Sequence, residues 1–284
     1  MSAEKKRKKK IGWIILLVLS LLLISIGIGV AAWVYGKDEY DYSQYIMDVT
    51  STFSPETEPT EPDQTQSRPV YDPDAATEPR STEPEELPEN PIDFEGLQQL
   101  NGDIYAWIYI PNTGIDLPIF QAPPTKDDNY YMHRDINGKY DYKGGIYTQR
   151  ANKKDFSDPV TLIYGHNMLD DTMFSNLDYF MDDRFFADNR YFYIYMPGHV
   201  LVYEIVSAYQ YDERHILNSF DFSKEEIFQE YIDYILNPRS MVADVRQDVS
   251  ITTQDRIVTL STCMNSGTAR YLVQGVLIKH ERTK

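Results

Sequence analysis

The chain carries 25 consecutive uncharged residues, from Ile11 to Tyr35, and this stretch does most to limit how the chain can be organised. As a helix rising about 1.5 Å per residue it would be roughly 37 Å long, enough to cross about 30 Å of hydrocarbon with some tilt. A cleaved signal peptide is the alternative, but its apolar region usually spans only about 7 to 15 residues. Residues 11–35 are therefore predicted to form one uncleaved transmembrane anchor.

The ten residues before this stretch are strongly basic. Residues 1–10 carry six Lys or Arg against the single acid Glu4, a net charge of +5. Basic residues next to a membrane helix tend to remain on the cytoplasmic side. Residues 1–10 are therefore predicted to be a cytoplasmic tail, and everything after Gly36 is predicted to lie outside the cell membrane.

A proline-rich acidic segment follows the predicted anchor. Residues 50–91 contain nine prolines, and eleven acids against Arg68 and Arg80 give them a net charge of −9. Such a composition buries too little apolar surface to offset the entropy lost on ordering. We expect residues 36–91 to be an extended, self-repelling linker that holds the following domain at a distance from the membrane.

The charge and the cysteine count exclude several classes of site. The chain has 27 Lys and Arg against 44 Asp and Glu, a net charge of −17, so nucleic-acid binding is not expected. Its single cysteine, Cys263, excludes an intramolecular disulfide and a multi-cysteine metal site. Adjacent acids such as Asp127 and Asp128 are more simply explained as solvated loops than as calcium ligands. No cofactor and no metal are predicted.

Residues 92–284 are long enough for one domain with its own core, and strand patterns dominate them. Eight segments are rich in Val, Ile, Tyr and Thr, and turn residues bound most of them. A mainly β fold, a barrel or a sandwich, is predicted. The eight predicted strands are 103–110, 116–120, 144–149, 159–165, 190–196, 199–211, 255–263 and 269–280.

Three helical patterns interrupt the strands, at 94–100, 171–180 and 223–237. Asp171 is a candidate N-cap for the second. The third has Ser223 followed three residues later by Glu226, which is the pattern of a capping box. It stops before Pro238, as expected for a helix end.

Cys263 is the best candidate for a chemical role. It ends a predicted strand, and Arg270 begins the next strand seven residues later, so a tight connection would bring the guanidinium beside the thiol. A nearby cation favours the thiolate, which is the nucleophile. The alternative is a small buried Cys263 and a surface Arg270. An unpaired thiol outside the membrane is exposed to oxidation, which favours a functional reason for its presence.

A thiol nucleophile needs a partner for proton transfer, and five histidines are available. His166 stands out because it follows a strand directly after Gly165, which permits an unusual turn at the strand's end. The alternative is a structural histidine. No role is assigned to the other four, His133, His199, His215 and His280.

Several strings resemble the sortases, the membrane-anchored cysteine transpeptidases of Gram-positive bacteria, and class B sortases in particular. The likeness extends through the whole of 92–284, and the order of the strings together with the N-terminal anchor makes it specific. The strings are WIYIPNTGIDLPIFQ (107–121), NYYMHRDINGKYDYKGGIY (129–147), TLIYGHNM (161–168), GHNMLDDTMFSNLDYF (165–180) and TLSTC (259–263) followed by Arg270.

The resemblance implies an eight-stranded β-barrel with an N-terminal helix and a long helix between strands 6 and 7, preceded by one transmembrane helix. It implies that Cys263 attacks a threonine carbonyl in a C-terminal sorting signal and forms a thioacyl enzyme. His166 would be the general acid and base, and Arg270 would stabilise the substrate or the oxyanion. The matching positions Tyr164 and Ser261 would line the substrate groove.

The implied partners are sorting-signal peptides of surface or pilin proteins, an amine of a peptidoglycan precursor or a pilin lysine as acceptor, and the membrane. The expected location is the cell membrane of a Gram-positive bacterium, crossed once, with residues 92–284 on the cell-wall side. Two departures from class B are the short link between Cys263 and Arg270 and Met264 after the cysteine. A shift of one residue would turn Arg270 to the other face of the sheet, but Tyr271 and Val273 favour the family register.

Alternatives to surface-protein anchoring remain open at the level of sequence. The chain could be a sortase that polymerises pilins, or a thiol hydrolase in which water resolves the acyl enzyme. It could also be a non-catalytic barrel displayed on a stalk, with Cys263 buried and inert.

Overall fold

The computed structural model describes residues 19–26, 40–47, 87–264 and 269–284, and the chain divides into two compact units, Met1–Asp41 and Tyr42–Lys284. In the first unit, residues 19–26 are helical and their large apolar side chains are exposed. Within the described ranges, no helix has both the length and the apolar character needed to cross a membrane. The predicted tail at 1–10, and most of the predicted anchor 11–35 and linker 36–91, lie outside the described residues.

Nine β-strands are present in the described part of the second unit, and eight of them form a closed barrel. The sheet order is β5-β1-β2-β3-β4-β8-β9-β6-β7, and pairing of β5 with β6 closes the barrel. The eight-stranded barrel predicted from the sequence is confirmed, and β7 adds a short strand beyond β6. The strands are β1 Ile104–Tyr109, β2 Asp116–Phe120, β3 Ile146–Thr148, β4 Val160–Tyr164, β5 Tyr191–Met196, β6 His199–Asp212, β7 Ala243–Val245, β8 Ile257–Cys263 and β9 Ala269–Arg282.

The pairing of β4, β8 and β9 brings three chain segments to one edge of the sheet. β4 and β8 are parallel, with Tyr164 opposite Ser261 at their carboxyl ends. β8 and β9 are antiparallel, with Cys263 opposite Arg270. The register expected from the sequence at Arg270 is therefore confirmed. Since the carboxyl ends of parallel strands meet at the same edge of a sheet, the residues that follow β4 lie near the end of β8.

Alternation along these strands separates two apolar layers. Val258 and Leu260 of β8 and Val273 of β9 belong to the cluster that fills the barrel. Their neighbours Ile257 and Leu272 belong to a second cluster, which packs against the helices outside the barrel. Because side chains alternate between faces, Cys263 and Arg270 lie on the outer face with Ile257 and Leu272.

Four α-helices surround the barrel in the part of the chain that the structure describes: α1 Phe94–Leu100, α2 Asp183–Asp188, α3 Ile216–Ser219 and α4 Glu225–Leu236. Two features of the predicted helices are wrong. Ser223 does not cap α4, because its hydroxyl donates to Asp221 Oδ1 at 2.6 Å and Lys224 is the N-cap residue. Asp171 has a positive φ of 59°, and the predicted helix at 171–180 is instead a 3-10 helix at Ser175–Met181.

A buried polar cluster joins α4 to the outer face of the sheet. Tyr231 of α4 lies 3.0 Å from Thr259 Oγ1, and both hydroxyls are fully buried. The side-chain amide of Gln274 donates to Tyr231 at 3.2 Å and to Tyr209 at 2.9 Å, and its oxygen accepts from Thr259 at 2.6 Å. Buried polar groups that are fully bonded select one arrangement of the layers, so this cluster fixes where α4 lies on the sheet.

A short N-terminal strap, defined as Tyr42–Met47, packs onto the same unit. Ile46 forms an antiparallel bridge with Ile92, and Met47 N–H donates to Pro91 O at 2.6 Å. The Tyr42 ring meets the fully buried Trp107 edge-to-face, with the ring centroids 5.7 Å apart. The compact unit therefore begins at Tyr42, upstream of residue 92, where the sequence analysis placed the start of the domain.

Candidate active site

Cys263 and Arg270 form the centre of the candidate site. The antiparallel register of β8 and β9 places them opposite each other, and Arg270 Nη1 lies 3.0 Å from Cys263 Sγ. Both residues are partly exposed. Met264 N–H donates to Ala269 O, so the ladder continues one step beyond Cys263. The guanidinium therefore lies beside the thiol, as the sequence predicted, and Cys263 is not a fully buried side chain.

His166 reaches the same edge of the sheet from β4. It lies two residues beyond Tyr164, as Cys263 lies two residues beyond Ser261, and Tyr164 and Ser261 are paired. Gly165 N–H donates to Ser261 O at 3.1 Å, which keeps the two strands together up to this point. The parallel pairing thus brings the imidazole to the end of β8.

Gly165 must lack a side chain because two apolar side chains approach its Cα closely. A Cβ at this position would lie 2.5 Å from Ile146 Cδ1 and 2.6 Å from Phe174 Cγ, distances that real side chains do not adopt. The chain turns out of β4 between these two apolar side chains. The absence of a side chain at residue 165 therefore allows His166 to follow the strand directly.

A main-chain oxygen holds the imidazole. His166 Nε2 lies 2.8 Å from Met132 O, in the 3-10 helix Tyr130–His133. A carbonyl oxygen only accepts hydrogen bonds, so Nε2 carries a proton and, in the neutral ring, Nδ1 holds the lone pair. Gly144, at φ 61°, packs against the Met132 carbonyl so closely that a Cβ would clash with it. This packing fixes the acceptor of His166.

Aromatic rings on the 130–142 segment stack on His166. The His133 ring is 5.2 Å from it and inclined by 19°, and the Tyr142 ring is 6.2 Å from it and inclined by 15°. Nδ1 of His133 is buried without a hydrogen-bond partner among the described residues. Two nearly parallel rings and one hydrogen bond therefore restrict both the tilt and the rotation of the His166 imidazole.

The surroundings of His166 favour its neutral form. Burial lowers the pKa of His166 below its ordinary value of 6.5, because burial disfavours the charged ring. The hydrogen bond to Met132 acts in the opposite direction, while positive charge on His133 and Arg270 lowers the pKa further. At neutral pH, His166 is therefore set to take a proton at Nδ1.

Tyr164 and Ser261, which the family resemblance implies would line a substrate groove, have different environments. Tyr164 is partly exposed, stacks on Tyr147 with the ring centroids 5.3 Å apart, and has its hydroxyl 3.0 Å from His215 Nε2. Burial raises the pKa of both tyrosines, so their hydroxyls remain protonated. Ser261 is only 5% exposed. Of the two, Tyr164 is the better placed to meet a ligand.

Sequence reasoning assigned no role to Met132, His133 or His215. The acceptor Met132 O belongs to the main chain, so the identity of residue 132 gives no indication of it. His133 could have been singled out, because it lies within the family-like string 129–147. His199 and His280 were also given no role. Their ring nitrogens lie 3.1 Å apart, at the ends of β6 and β9 that are far from Arg270.

The groups at this edge are those that acyl transfer through a thioester requires. A partly exposed thiol can act as the nucleophile, and an imidazole with one free ring nitrogen can move a proton. A guanidinium can stabilise negative charge on an oxygen. All three side chains are partly exposed at this edge of the sheet.

Comparison with known proteins gives consistent matches. A family described as the Sortase domain matches residues 108–278. Sortase B of Listeria monocytogenes is 28% identical over 271 residues, which cover 91% of this chain and 96% of that protein. The crystal structure of Clostridium perfringens sortase B is 30% identical, with a TM-score of 0.59, over 65% of this chain and 99% of that chain.

Two solved complexes of sortase B are also similar, and each is 28% identical over 66% of this chain. One is a Staphylococcus aureus sortase B–substrate complex, with a TM-score of 0.58 over 85% of that chain. The other is a sortase B complexed with triglycine, with a TM-score of 0.59 over 86% of that chain.

Proposed function

This chain belongs to the sortase family, whose members are cysteine transpeptidases, and we propose that it cleaves a C-terminal sorting signal after threonine and joins the product to a cell-wall amine. The observation that carries this proposal is the 3.0 Å contact between Arg270 Nη1 and Cys263 Sγ, at the edge of the sheet to which β4 brings His166. The similarity to sortase B proteins and the order of the matching sequence strings support assignment to class B.

In the first half of the reaction, neutral His166 takes the thiol proton of Cys263 at Nδ1, and the thiolate that forms attacks the carbonyl carbon of the threonine. A bond forms between sulfur and carbon, and negative charge develops on the carbonyl oxygen. Arg270 donates to that oxygen or to the neighbouring peptide backbone, a contribution of roughly 3 to 4 kcal/mol for a preorganised donor. Protonated His166 gives its Nδ1 proton to the leaving amine, the peptide bond breaks, and a thioacyl enzyme remains.

In the second half, an amine attacks the thioester and the roles reverse. Neutral His166 accepts a proton from the incoming amine at Nδ1, because Nε2–H is engaged by Met132 O. The new amide bond forms, and the Cys263 thiolate leaves. Proton transfer of this kind typically contributes about 10² to 10⁴ in rate.

The acceptor is proposed to be an amine of peptidoglycan or of its precursor. A sortase B has been solved in complex with triglycine, a peptide whose N-terminus is a free amine. This supports an oligoglycine or similar amine as the second substrate of the present chain. Surface-protein anchoring is the function that this acceptor class favours.

We also propose that residues 11–35 anchor the enzyme in the cell membrane, with the barrel on the cell-wall side. The support is the uncharged length of that stretch and the net charge of +5 that precedes it. Cysteine-scanning labelling from each side of the membrane tests this topology. Labelling at residue 5 from outside intact cells would contradict it.

Intact-mass spectrometry of the enzyme with a panel of sorting-signal peptides tests the function. We expect an acyl adduct on the wild-type chain and none on Cys263→Ala, and we expect an oligoglycine or a diaminopimelate-containing stem peptide to convert the adduct into ligated product. His166→Ala should form and release the adduct about 10² to 10⁴ times more slowly. Release of cleaved acid alone, with every acceptor tested, would instead identify a hydrolase.

A further inference from the structure

His215 lies in the connection that follows β6 and contacts two residues near the candidate active site, Gln149 and Tyr164. It is the residue before α3, in the connection from β6 to α4, and it lies 66 residues along the chain from Gln149. Its Nε2 is 2.7 Å from Gln149 Oε1, just after β3, and 3.0 Å from the Tyr164 hydroxyl at the end of β4. Next to it, Ile216 is buried in the apolar layer beneath α4.

The hydrogen-bond partners determine which atom donates. Gln149 Nε2 lies 2.7 Å from Asn129 Oδ1, an acceptor that also receives the Tyr147 hydroxyl at 3.3 Å. Because the Gln149 nitrogen faces that acceptor, its oxygen faces His215, and His215 Nε2 must carry the proton. The single Nε2 proton is then shared between Gln149 Oε1 and the Tyr164 hydroxyl, so Tyr164 accepts the longer of the two bonds and does not use its own hydroxyl proton in this contact.

We propose that His215 is a positioning residue for the sorting-signal peptide: it fixes the β6–α4 connection against β3 and β4 and leaves the Tyr164 hydroxyl proton free to bind a peptide carbonyl. The inference rests on the proposed function, since it names a determinant of peptide binding at the same site. Tyr164 is suited to this role because it lies two residues before His166, on the same outer face, and because stacking on Tyr147 fixes its ring.

Protonation of His215 would weaken the arrangement. Its Nδ1 is buried and makes no hydrogen bond to another residue in the described part of the chain, so a proton added there would be a poorly satisfied buried donor. Burial lowers the pKa of His215 from 6.5, although a hydrogen bond to its own backbone and the carboxylate of Asp128 oppose this. A lowered pKa means that the stabilisation is complete above about pH 6.5 and is lost as the pH falls further.

The charged groups around His215 are largely paired with others. On the β3 side, Asp128 lies 3.4 Å from Arg150 Nη1. On its own connection, Arg214 is bonded to Asp212 at 2.7 Å. From β9, the charge of Arg270 acts on Tyr164, whose hydroxyl stays neutral because burial raises its pKa. His215 is therefore the group in this contact that changes charge as the pH falls below about 6.5.

The test compares His215→Ala with His215→Gln in the full-length chain, held in detergent because of residues 11–35. Glutamine places a side-chain N–H donor near the position of Nε2 but cannot be protonated in this range. His199→Gln is the matched control, since His199 is a partly exposed histidine at the far end of β6. Two readouts are measured: kcat and KM for a sorting-signal peptide, and hydrogen exchange of backbone amides in residues 213–224.

We expect His215→Ala to raise KM about five- to tenfold with kcat changed less than about twofold, the loss expected for one or two neutral hydrogen bonds. Exchange in 213–224 should be faster by a similar factor. His215→Gln should restore both values and should lack the rise in KM that the wild type shows as the pH falls below about 6.5. In a Tyr164→Phe background, His215→Ala should raise KM no further.

The proposal is overturned if His215→Ala matches the His199→Gln control in both KM and exchange, or if His215→Gln behaves like His215→Ala. A failure of the proposed function is distinguishable. In that case the wild type turns over no peptide, while faster exchange in His215→Ala and its rescue by glutamine still decide whether His215 fixes the connection.

Discussion

His166 Nε2 donates a hydrogen bond to Met132 O at 2.8 Å, and this bond leaves Nδ1 as the ring nitrogen that can accept a proton. The acceptor belongs to the main chain, so no substitution of a side chain removes it directly. It is held in place by the close packing of Gly144. The tautomer of His166 is therefore set by the backbone of the segment that joins β2 to β3.

Removing the guanidinium should reduce turnover without unfolding the barrel. Arg270→Ala is expected to lower kcat/KM by about 10² to 10³, because a preorganised donor to the oxyanion is lost. Arg270→Lys should recover only part of the activity, since an ammonium lacks the planar fork of donors. Steady-state kinetics measure both. Arg282→Ala, at the other end of β9, is the control, and equal losses in it would contradict the assignment.

The charge of Arg270 should also be detectable in the titration of His166. Arg270→Met removes a positive charge that lowers the pKa of His166, so that pKa should rise toward, but remain below, its ordinary value of 6.5 because burial persists. NMR titration of the His166 ring in wild type and variant measures the shift. A fall in the pKa, or an equal change in Arg282→Met, would show that Arg270 does not act on the imidazole.

Gly165 should tolerate no side chain. Gly165→Ala would place a methyl group 2.5 Å from Ile146 Cδ1, which costs about 1 to 3 kcal/mol of stability for overpacking and displaces His166. We expect a lower urea midpoint together with a large loss of kcat. Gly102→Ala is the matched control, because the nearest atom to its added Cβ is 3.9 Å away. If both variants match the wild type in urea midpoint and kcat, the close approach at Gly165 does not restrict the side chain at that position.

The polar cluster beneath α4 should contribute to stability. Tyr231→Phe removes the hydroxyl that bonds Thr259 and Gln274, all in a fully buried site, and should cost about 1 to 3 kcal/mol. The free energy of unfolding from urea titration measures this. Tyr179→Phe, on a tyrosine that is 42% exposed, should change it by less than about 0.5 kcal/mol. An unchanged free energy of unfolding in Tyr231→Phe would show that the cluster is not what fixes α4.

The strap can be followed by fluorescence. Trp13 and Trp33 precede residue 40, so Trp107 is the single tryptophan of a fragment spanning 40–284. Tyr42→Ala should expose the fully buried Trp107, shift its emission to longer wavelength and increase quenching by acrylamide. Met47→Ala, on a side chain that is 48% exposed, should leave the emission unchanged. An unaltered spectrum in Tyr42→Ala would mean that the strap does not cover Trp107.

The strands were predictable because their side chains alternate, and the connection of β8 to β9 made the contact of Cys263 with Arg270 predictable as well. β7 was missed because three residues, Ala243–Val245, carry too little alternation to be recognised. The capping box failed for a local reason, since Ser223 bonds Asp221 in preference to the backbone.

The rest of the site depends on contacts between distant parts of the chain. Met132 O meets His166 across 34 residues, and His215 meets Tyr164 across 51. Neither contact follows from local propensity, because the barrel must close before the partners meet. The strap was missed for the same reason: Ile46 finds its partner at Ile92 only in the folded unit.

That bridge has a mechanical consequence. A pull on the chain from its N-terminal side reaches the barrel first at Tyr42–Met47, where Ile46 is bonded to the segment around Ile92. The attachment between Ile46 and Ile92 therefore bears such a load before the strands of the barrel do.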